Sequence, residues 1–535
     1  MRTGIDIPVR FRYNEDTAIK GVMIMKFIDY DRVALTDGFW KEVRSRNAAV
    51  SLKNVYRRFA ETGRFSAVAC VRREDPPHIF YDSDVAKWLE AAAYLQKDYP
   101  DAEIRAIIDE TVDTIARSQL ACGCFNSYYQ VYKPDKIFTE RTEHELYCAG
   151  HLIEAAVALD ACGVNGKLLA VMKKYAEYIY ERFYGLTGDD TLVQVCETLF
   201  QDIVNKKMYL TGGTGSSNVG ERFTIAYDLL NQTAYSETCA AIALAFFAER
   251  MARIGNKAAY HAVVERVLYN NVLAGESLDG KGFFYTNPLE MHAAFARYAR
   301  TLPDAPYQPI PERVEVFGCS CCPPNLIRLF AQIGGFAYGE EDGVLYVHQY
   351  ISSRVSACGC ELSVQSEMPF SGKATIGVKG SGRIALRIPV WQSAVSCAVN
   401  GAFCVPETRD DYMYFSVEGE TCISLDFEMK PRFVYANEKV WADAGRKAVE
   451  YGPLVLCAES ADNGGDLASV EIPSPDHAEI GAEGGFCVKI PARRLKSDGA
   501  LYSYLPPVRE AFTLVLRPYY TWANRGENDM QVWFL

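Results

Sequence analysis

Tyr338-Gly339-Glu340-Glu341-Asp342-Gly343 is followed by Val344-Leu345-Tyr346-Val347-His348-Gln349-Tyr350-Ile351, and at this junction the period of the sequence changes. Before it, from Gly38 to about Gly335, apolar residues recur at three and four, the repeat of one helix face. The segments are 47–60, 83–95, 103–120, 143–161, 168–183, 191–204, 236–254, 257–273 and 323–333, with turn signals such as 160–163 and 253–256 between them. After it, apolar and polar residues alternate in 344–351, 374–379, 383–388, 412–417, 422–427 and 512–517, separated by Gly, Pro or Asn. Helices of similar length on short connections read as antiparallel hairpins, and a long series of these closes into an α/α barrel. Evenly spaced alternating strands read as an antiparallel β-sandwich. The expected fold is therefore multidomain α+β. An N-terminal segment, 1–36, contributes a strand or two (22–28 alternates weakly) and joins the β region. The helical catalytic domain spans 37–338, a β-sandwich 339–457, and a second sandwich, or a continuation of the first, 458–535. The acidic, Gly-rich stretch 459–466 reads as a surface loop or subdomain boundary.

A chain of 535 residues is too long for one core, and about three domains are expected. Its 49% hydrophobic and 23% charged content is that of an ordinary globular protein. A formal charge of −12 argues against nucleic acid and anionic membrane surfaces as partners and favours a neutral or cationic small molecule. No run approaches the ~18 apolar residues of a spanning helix, and residues 1–8 lack the apolar block of a signal peptide. Seventeen cysteines without a framework spacing fit a reducing cytoplasm better than a disulfide scaffold. Self-association is left open.

Four stretches concentrate chemistry. Phe317-Gly318-Cys319-Ser320-Cys321-Cys322-Pro323-Pro324-Asn325 holds three cysteines ahead of two prolines, a metal site, a nucleophile site, or both. Tyr235-Ser236-Glu237-Thr238-Cys239 opens a long apolar helix with an oxygen and a sulfur ligand close together. With two cysteines of the first cluster, these complete a four-ligand set that zinc accepts. Residues 209–223 look like a phosphate loop but lack its Gly-Lys-Ser/Thr. Either they form a flexible connector, or the glycines let the backbone approach a ligand while presenting Glu221. His144 and His151, seven apart, share one helix face, and their spacing excludes the four-residue pair of a zinc protease helix. They read either as satisfied buried histidines or, with Tyr147, as a sugar-binding face. Asp82 is either part of a helix start or a ligand contact.

Taken together, these segments resemble glycoside hydrolase family 127, the β-L-arabinofuranosidases and their relatives. The matching residues are 36–40, 82–94, His144-Glu145-Leu146-Tyr147-Cys148-Ala149-Gly150-His151 and its continuation to 156, 208–215, Gly220-Glu221, 235–240, Cys321-Cys322-Pro323-Pro324-Asn325 and 518–524. The resemblance runs from about Val33 to the C-terminus and implies an α/α barrel followed by β-sandwiches. It implies Zn²⁺ on Glu237, Cys239, Cys321 and Cys322, with Cys321 as nucleophile and Glu221 as general acid/base of a retaining exo-glycosidase for β-L-arabinofuranosides or a similar small sugar. It also implies a sugar contact from His144; His151, Tyr147, Asp82 and Tyr285 are expected as further substrate-binding residues. Three thiolates and a carboxylate leave a formally dianionic zinc centre, in which Cys321 stays deprotonated near neutral pH. In one respect the chain departs from the family. The family's barrel carries additional helices, with two more sugar-contacting histidines, between the equivalents of 182–185 and 186–189, where this chain passes almost directly onward. The nine helical segments fall short of the twelve of a six-hairpin barrel, so a barrel shortened by several helices is expected. The alternative function is a catalytically weak or inactive sugar-binding relative with a structural zinc.

Overall fold

The computed structural model describes residues 25–140, 142–183, 191–305 and 307–535. The expected junction at 182–189 and most of the 1–36 segment lie outside the described residues. The remainder falls into two compact units, one spanning 52–195 and the other 26–51 with 196–535.

The first unit is helical. Its centre is the helix Tyr81–Gln96, buried on all sides because Ala86, Ala91, Ala92 and Ala93 let neighbours approach closely. The helix Glu145–Ala161 packs along it with its own small residues Ala149, Ala155 and Ala156. Inside this unit Arg64 Nε lies 2.8 Å from Asp84 Oδ2, both side chains 1% exposed. The helix Ala102–Ser118 is capped by Asp101, whose carboxylate accepts from the amides of Glu103 and Ile104.

The second unit combines helices with two sheets. In the first sheet the long strands Lys373–Arg387 and Tyr412–Phe427 run antiparallel in unbroken register from Tyr412↔Arg387 to Asp426↔Lys373. Lys26–Phe27 and Ala34–Leu35 add to this sheet by pairing with Tyr338–Glu341 and Ser353–Ala357. The expectation of purely antiparallel pairing fails at one place. Val344–Val347 lies parallel to 383–386, and all four of its residues are buried, so it is covered on both faces. The second sheet takes Pro431–Val434, Ala448–Tyr451, Leu454–Glu459, Cys487–Lys496 and Val508–Pro518, and it recruits Glu290–Met291 from the helical stretch through Met530–Gln531. The boundary expected at 457/458 is corrected: it would cut the strand Leu454–Glu459. The stretch 459–466 lies largely at the surface beyond the end of the strand and carries the short helix Ser460–Asn463. Glu459 is buried 2.6 Å from Arg525, and Asp462 binds Arg517 and Arg525 at 2.8 and 2.6 Å.

Within the second unit a buried polar junction ties helix to sheet. Arg387, fully buried, donates to Glu265 Oε1 at 2.6 Å and to the carbonyl of His348, while Trp391 Nε1 donates to Glu265 Oε2 at 3.0 Å. The rings of His261 and His348 stack beside it, centroids 3.7 Å apart and 6° from parallel. Burial, with Arg387 adding, holds both histidines far below the usual imidazole range, so both are neutral. Arg387→Met is expected to cost about 3–5 kcal/mol, because it strands a buried carboxylate. The double variant Arg387→Met/Glu265→Leu should lose much less. Guanidinium denaturation of the two, side by side, checks this, and equal losses would refute it.

Candidate active site

The helix Thr238–Ile254 begins with Glu237 as its N-cap, and Cys239 sits in its first turn. The helix Cys322–Ala331 begins with Cys321 as N-cap, with Pro323 and Pro324 in the turn where missing amide donors cost nothing. Both positive helix ends therefore meet at the same four side chains and favour anionic sulfur and oxygen there. Cys239 and Cys322 Sγ are 3.6 Å apart, Cys321 and Cys322 Sγ 3.7 Å, and Glu237 Oε1 lies 3.6 and 3.9 Å from the sulfurs of Cys321 and Cys322. Sulfurs about 2.3 Å from one tetrahedral zinc would be separated by about 3.8 Å, so the donor set already has the dimensions of that polyhedron. Burial, then the neighbouring thiols of Cys239 and Cys321, push the Cys322 thiol well above its usual range. A cation among them is what would reverse that. The residues fit a divalent metal, and Cys319 stands outside the set.

Backbone pairing holds these ligands. Thr238 N–H donates to Tyr285 O at 2.9 Å, Glu237 bridges to Thr286, and Ser236 N–H donates to Gly215 O at 2.8 Å. Ser236 is forced to a positive φ of 38°. It is kept there by Asn271, which donates to its hydroxyl, and Asn287, which donates to its carbonyl. The glycines at 212–215 serve this contact. A Cβ on Gly213 would sit 1.9 Å from Ser236 Oγ and 2.2 Å from Asn271 Nδ2. Beyond them, Ser217 and Arg222 pair across a tight turn whose tip presents Glu221 at φ 47°.

Glu221 Oε1 accepts from Tyr235 Oη at 2.6 Å and from Tyr285 Oη at 2.7 Å. Tyr285 Oη is also 3.6 Å from Cys321 Sγ, so Glu221 Oε1 and this sulfur are at most about 6.3 Å apart, a range that includes the ~5–5.5 Å of paired groups in retaining glycosidases. Burial, then the thiols of Cys321 and Cys322, push the Tyr285 hydroxyl far above the phenol range, and burial with Glu221 does the same for Tyr235. Both remain donors. Sequence reasoning missed Tyr235 as a site residue, although it is the first residue of the motif that contains Glu237. Tyr285 is positioned through its neighbour Phe284, which stacks on Trp522 at 4.8 Å beneath the Arg313 guanidinium.

The other sequence-derived candidates lie in the helical unit. Tyr147 packs edge-on against His151 at 4.6 Å and accepts from Lys87 Nζ at 2.5 Å. His144 caps the helix Glu145–Ala161 at φ 58° and packs against Phe80 at 4.7 Å. His151 Nδ1 is 3.5 Å from Glu154. Asp82 is 1% exposed and accepts from Ser127 N–H at 2.8 Å; burial pushes its carboxyl up to about 6.

The family model described as "Beta-L-arabinofuranosidase, GH127 catalytic domain" matches residues 32–185 and 180–335; the family's middle-domain and C-terminal-domain models match 344–429 and 431–535. The chain belongs to glycoside hydrolase family 127. It is accordingly a glycoside hydrolase. It is 32% identical to a non-reducing end beta-L-arabinofuranosidase of Bifidobacterium longum subsp. longum, over 87% of this chain and 91% of that relative. The alignment runs to 608 positions, more than this chain contains, so the family 127 relative carries residues that this member lacks. Two solved members are similar throughout. A GH127 beta-L-arabinofuranosidase from Geobacillus stearothermophilus T6 has a TM-score of 0.86 at 29% identity, covering 94% of this chain and 99% of its own. A GH127 beta-arabinofuranosidase has a TM-score of 0.83 at 25% identity, covering 96% and 98%. The catalytic-domain match is in two pieces that meet at 180–185, where the family's extra helices were expected to be missing. Among the described residues, no helix is long and apolar enough to cross a membrane.

Proposed function

We propose that this family 127 member is a zinc-dependent retaining exo-glycosidase that removes terminal β-L-arabinofuranosyl groups or a closely similar small sugar. The observation that supports the reading is the line Glu221–Tyr285–Cys321, which brings a carboxyl group and a thiol to within about 6.3 Å of each other beside a four-donor Cys/Glu cluster. Glu237, Cys239, Cys321 and Cys322 would hold the Zn²⁺, whose contribution when bound is to keep the sulfurs as thiolates. Cys321 attacks the anomeric carbon, Glu221 gives its proton to the departing oxygen, and a glycosyl thioether forms on Cys321. Glu221 then takes a proton from water, which displaces the sulfur with a second inversion. Four protein ligands leave no open position for a metal-activated water, which favours the thiolate route. The relatives' activity supports the sugar; His144, His151, Tyr147 and Asp82 as sugar contacts rest on the shared motif. The helical region is read as an α/α barrel short of several helices and the sheets as β-sandwiches. The seventeen free thiols support a reducing compartment, the cytoplasm.

The two-piece family match favours a second reading, a weak or inactive sugar binder that keeps a structural metal. Metal analysis of the purified chain should find one zinc per chain under either reading, and Cys239→Ser should lower that content severalfold; an unchanged content would remove Cys239 from the ligand set. Turnover separates the readings. Release of arabinose from an aryl β-L-arabinofuranoside is expected, and its absence with the metal loaded would leave the second.

A further inference from the structure

We propose that the solvent-facing side of the first sheet carries a separate ligand site, which binds acidic oligosaccharides, short chains of sugars that bear carboxylates. The sheet floors a cavity of about 1020 Å³, at the upper end of the ~300–1,000 Å³ of small-molecule sites. Residues directly opposite each other in antiparallel strands share one face, so the strand register defines two rows across this floor. Ala34, Arg354, Ser363, Gly377 and Cys422 make the first row. Ser356, Glu361, Lys379 and Glu420 make the second, two residues on along each strand and ~7 Å away. Between the rows, Val355, Leu362 and Val378 turn to the opposite face and are buried. Gly377 leaves the middle of the first row without a side chain, so a ligand can approach the backbone there. No residue of the Cys/Glu cluster lines the cavity, so binding here is independent of hydrolysis there.

The charges select the ligand. Lys379 is held by Glu420 at 3.0 Å, with Glu361 opposite it on the neighbouring strand. Arg32 also lines the cavity, and its Nη2 donates to the Ser356 carbonyl at 2.9 Å. Among the described residues, neither Arg32 nor Arg354 has a carboxylate within ion-pair distance. The lining therefore carries a net positive charge in a chain whose formal charge is −12. Two uncompensated guanidinium groups call for oxyanions, which their paired N–H donors grip. Glu361 and Glu420 repel a bare polyanion and accept from hydroxyl groups instead, as Ser356, Ser363 and Asn400 also can. A molecule with hydroxyls beside carboxylates satisfies all of these groups. Among the described residues no aromatic ring lines the cavity, so a neutral sugar finds no stacking face to hold it.

The test is isothermal titration of the full chain with a trisaccharide of galacturonic acid. Binding is expected, and Arg354→Gln and Arg32→Gln should each weaken it about tenfold or more, since each removes a charge-assisted contact. Both side chains are exposed, so the variants should keep the melting temperature of the wild type. The fully methyl-esterified trisaccharide, neutral but with the same hydroxyls, should also bind about tenfold more weakly or worse. No binding of the acid, equal binding of its ester, or unchanged affinity in both variants overturns the proposal. Inorganic phosphate that displaces the trisaccharide at equal concentration would mean an oxyanion contact without sugar recognition, and overturns it as well.

Discussion

Cys321→Ala is expected to lower kcat/KM on an aryl arabinofuranoside by about 10⁴-fold or more, the scale on which loss of a covalent nucleophile is felt. The sulfur it removes is the one that reaches Tyr285 Oη at 3.6 Å while still touching Glu237 at 3.6 Å. Because the same substitution deletes a metal donor, activity alone is ambiguous, and a second readout is needed. A cyclophellitol-type epoxide of arabinofuranose shape should add once to the native chain, and peptide mapping should find the adduct on Cys321. Turnover persisting in Cys321→Ala, or an adduct on Cys319 instead, would sink the assignment.

The next largest effect is expected at Glu221. With Oε1 engaged by Tyr235 and Tyr285, only Oε2 is left to carry and deliver the proton. Glu221→Gln keeps the shape and removes the proton. For alkyl glycosides, whose leaving groups need protonation, a loss of about 10²–10⁴-fold is expected. For an activated aryl glycoside the first step should suffer far less, and the slow step becomes release of the sugar from Cys321. Azide, which needs no general base, should then restore the rate and yield a glycosyl azide. Equal losses on aryl and alkyl substrates, without azide rescue, would move the acid/base role to another residue.

How far the sequence could be read depended on whether a residue's role is local. Cys321-Cys322-Pro323-Pro324 announces a helix start with thiols at its N-terminus, because proline chemistry acts within one turn. Glu237 and Cys239 are legible for the same reason. Their convergence with Cys321 and Cys322, across the 83 positions between Cys239 and Cys322, was legible only from the chemistry of the donor set and the family resemblance, not from any local pattern. The wide helical turns at Asn47–Ser51 and Leu268–Val272 were also invisible to a period of 3.6. In the second, the extra residue per turn buries Asn270 and Asn271 together, the former bonding Pro453 O and the latter Ser236. Val344–Val347 looked like a half-exposed strand by alternation, but a long-range parallel pairing covers both its faces. The glycines at 212–215 suggested either a flexible connector or a ligand approach; at Gly213 the missing Cβ admits Ser236.

The crowding of three sulfurs has a consequence for the protein's lifetime. Cys239 and Cys322 lie 3.6 Å apart with Cys321 at 3.7 Å, a spacing from which mild oxidants close a disulfide readily. A bound metal occupies the lone pairs that such oxidation requires, so it acts as a protecting group for the nucleophile's neighbours. Stripping it by chelation in air would therefore leave a chain that added zinc no longer revives, whereas stripping under a thiol reductant would leave one that it does.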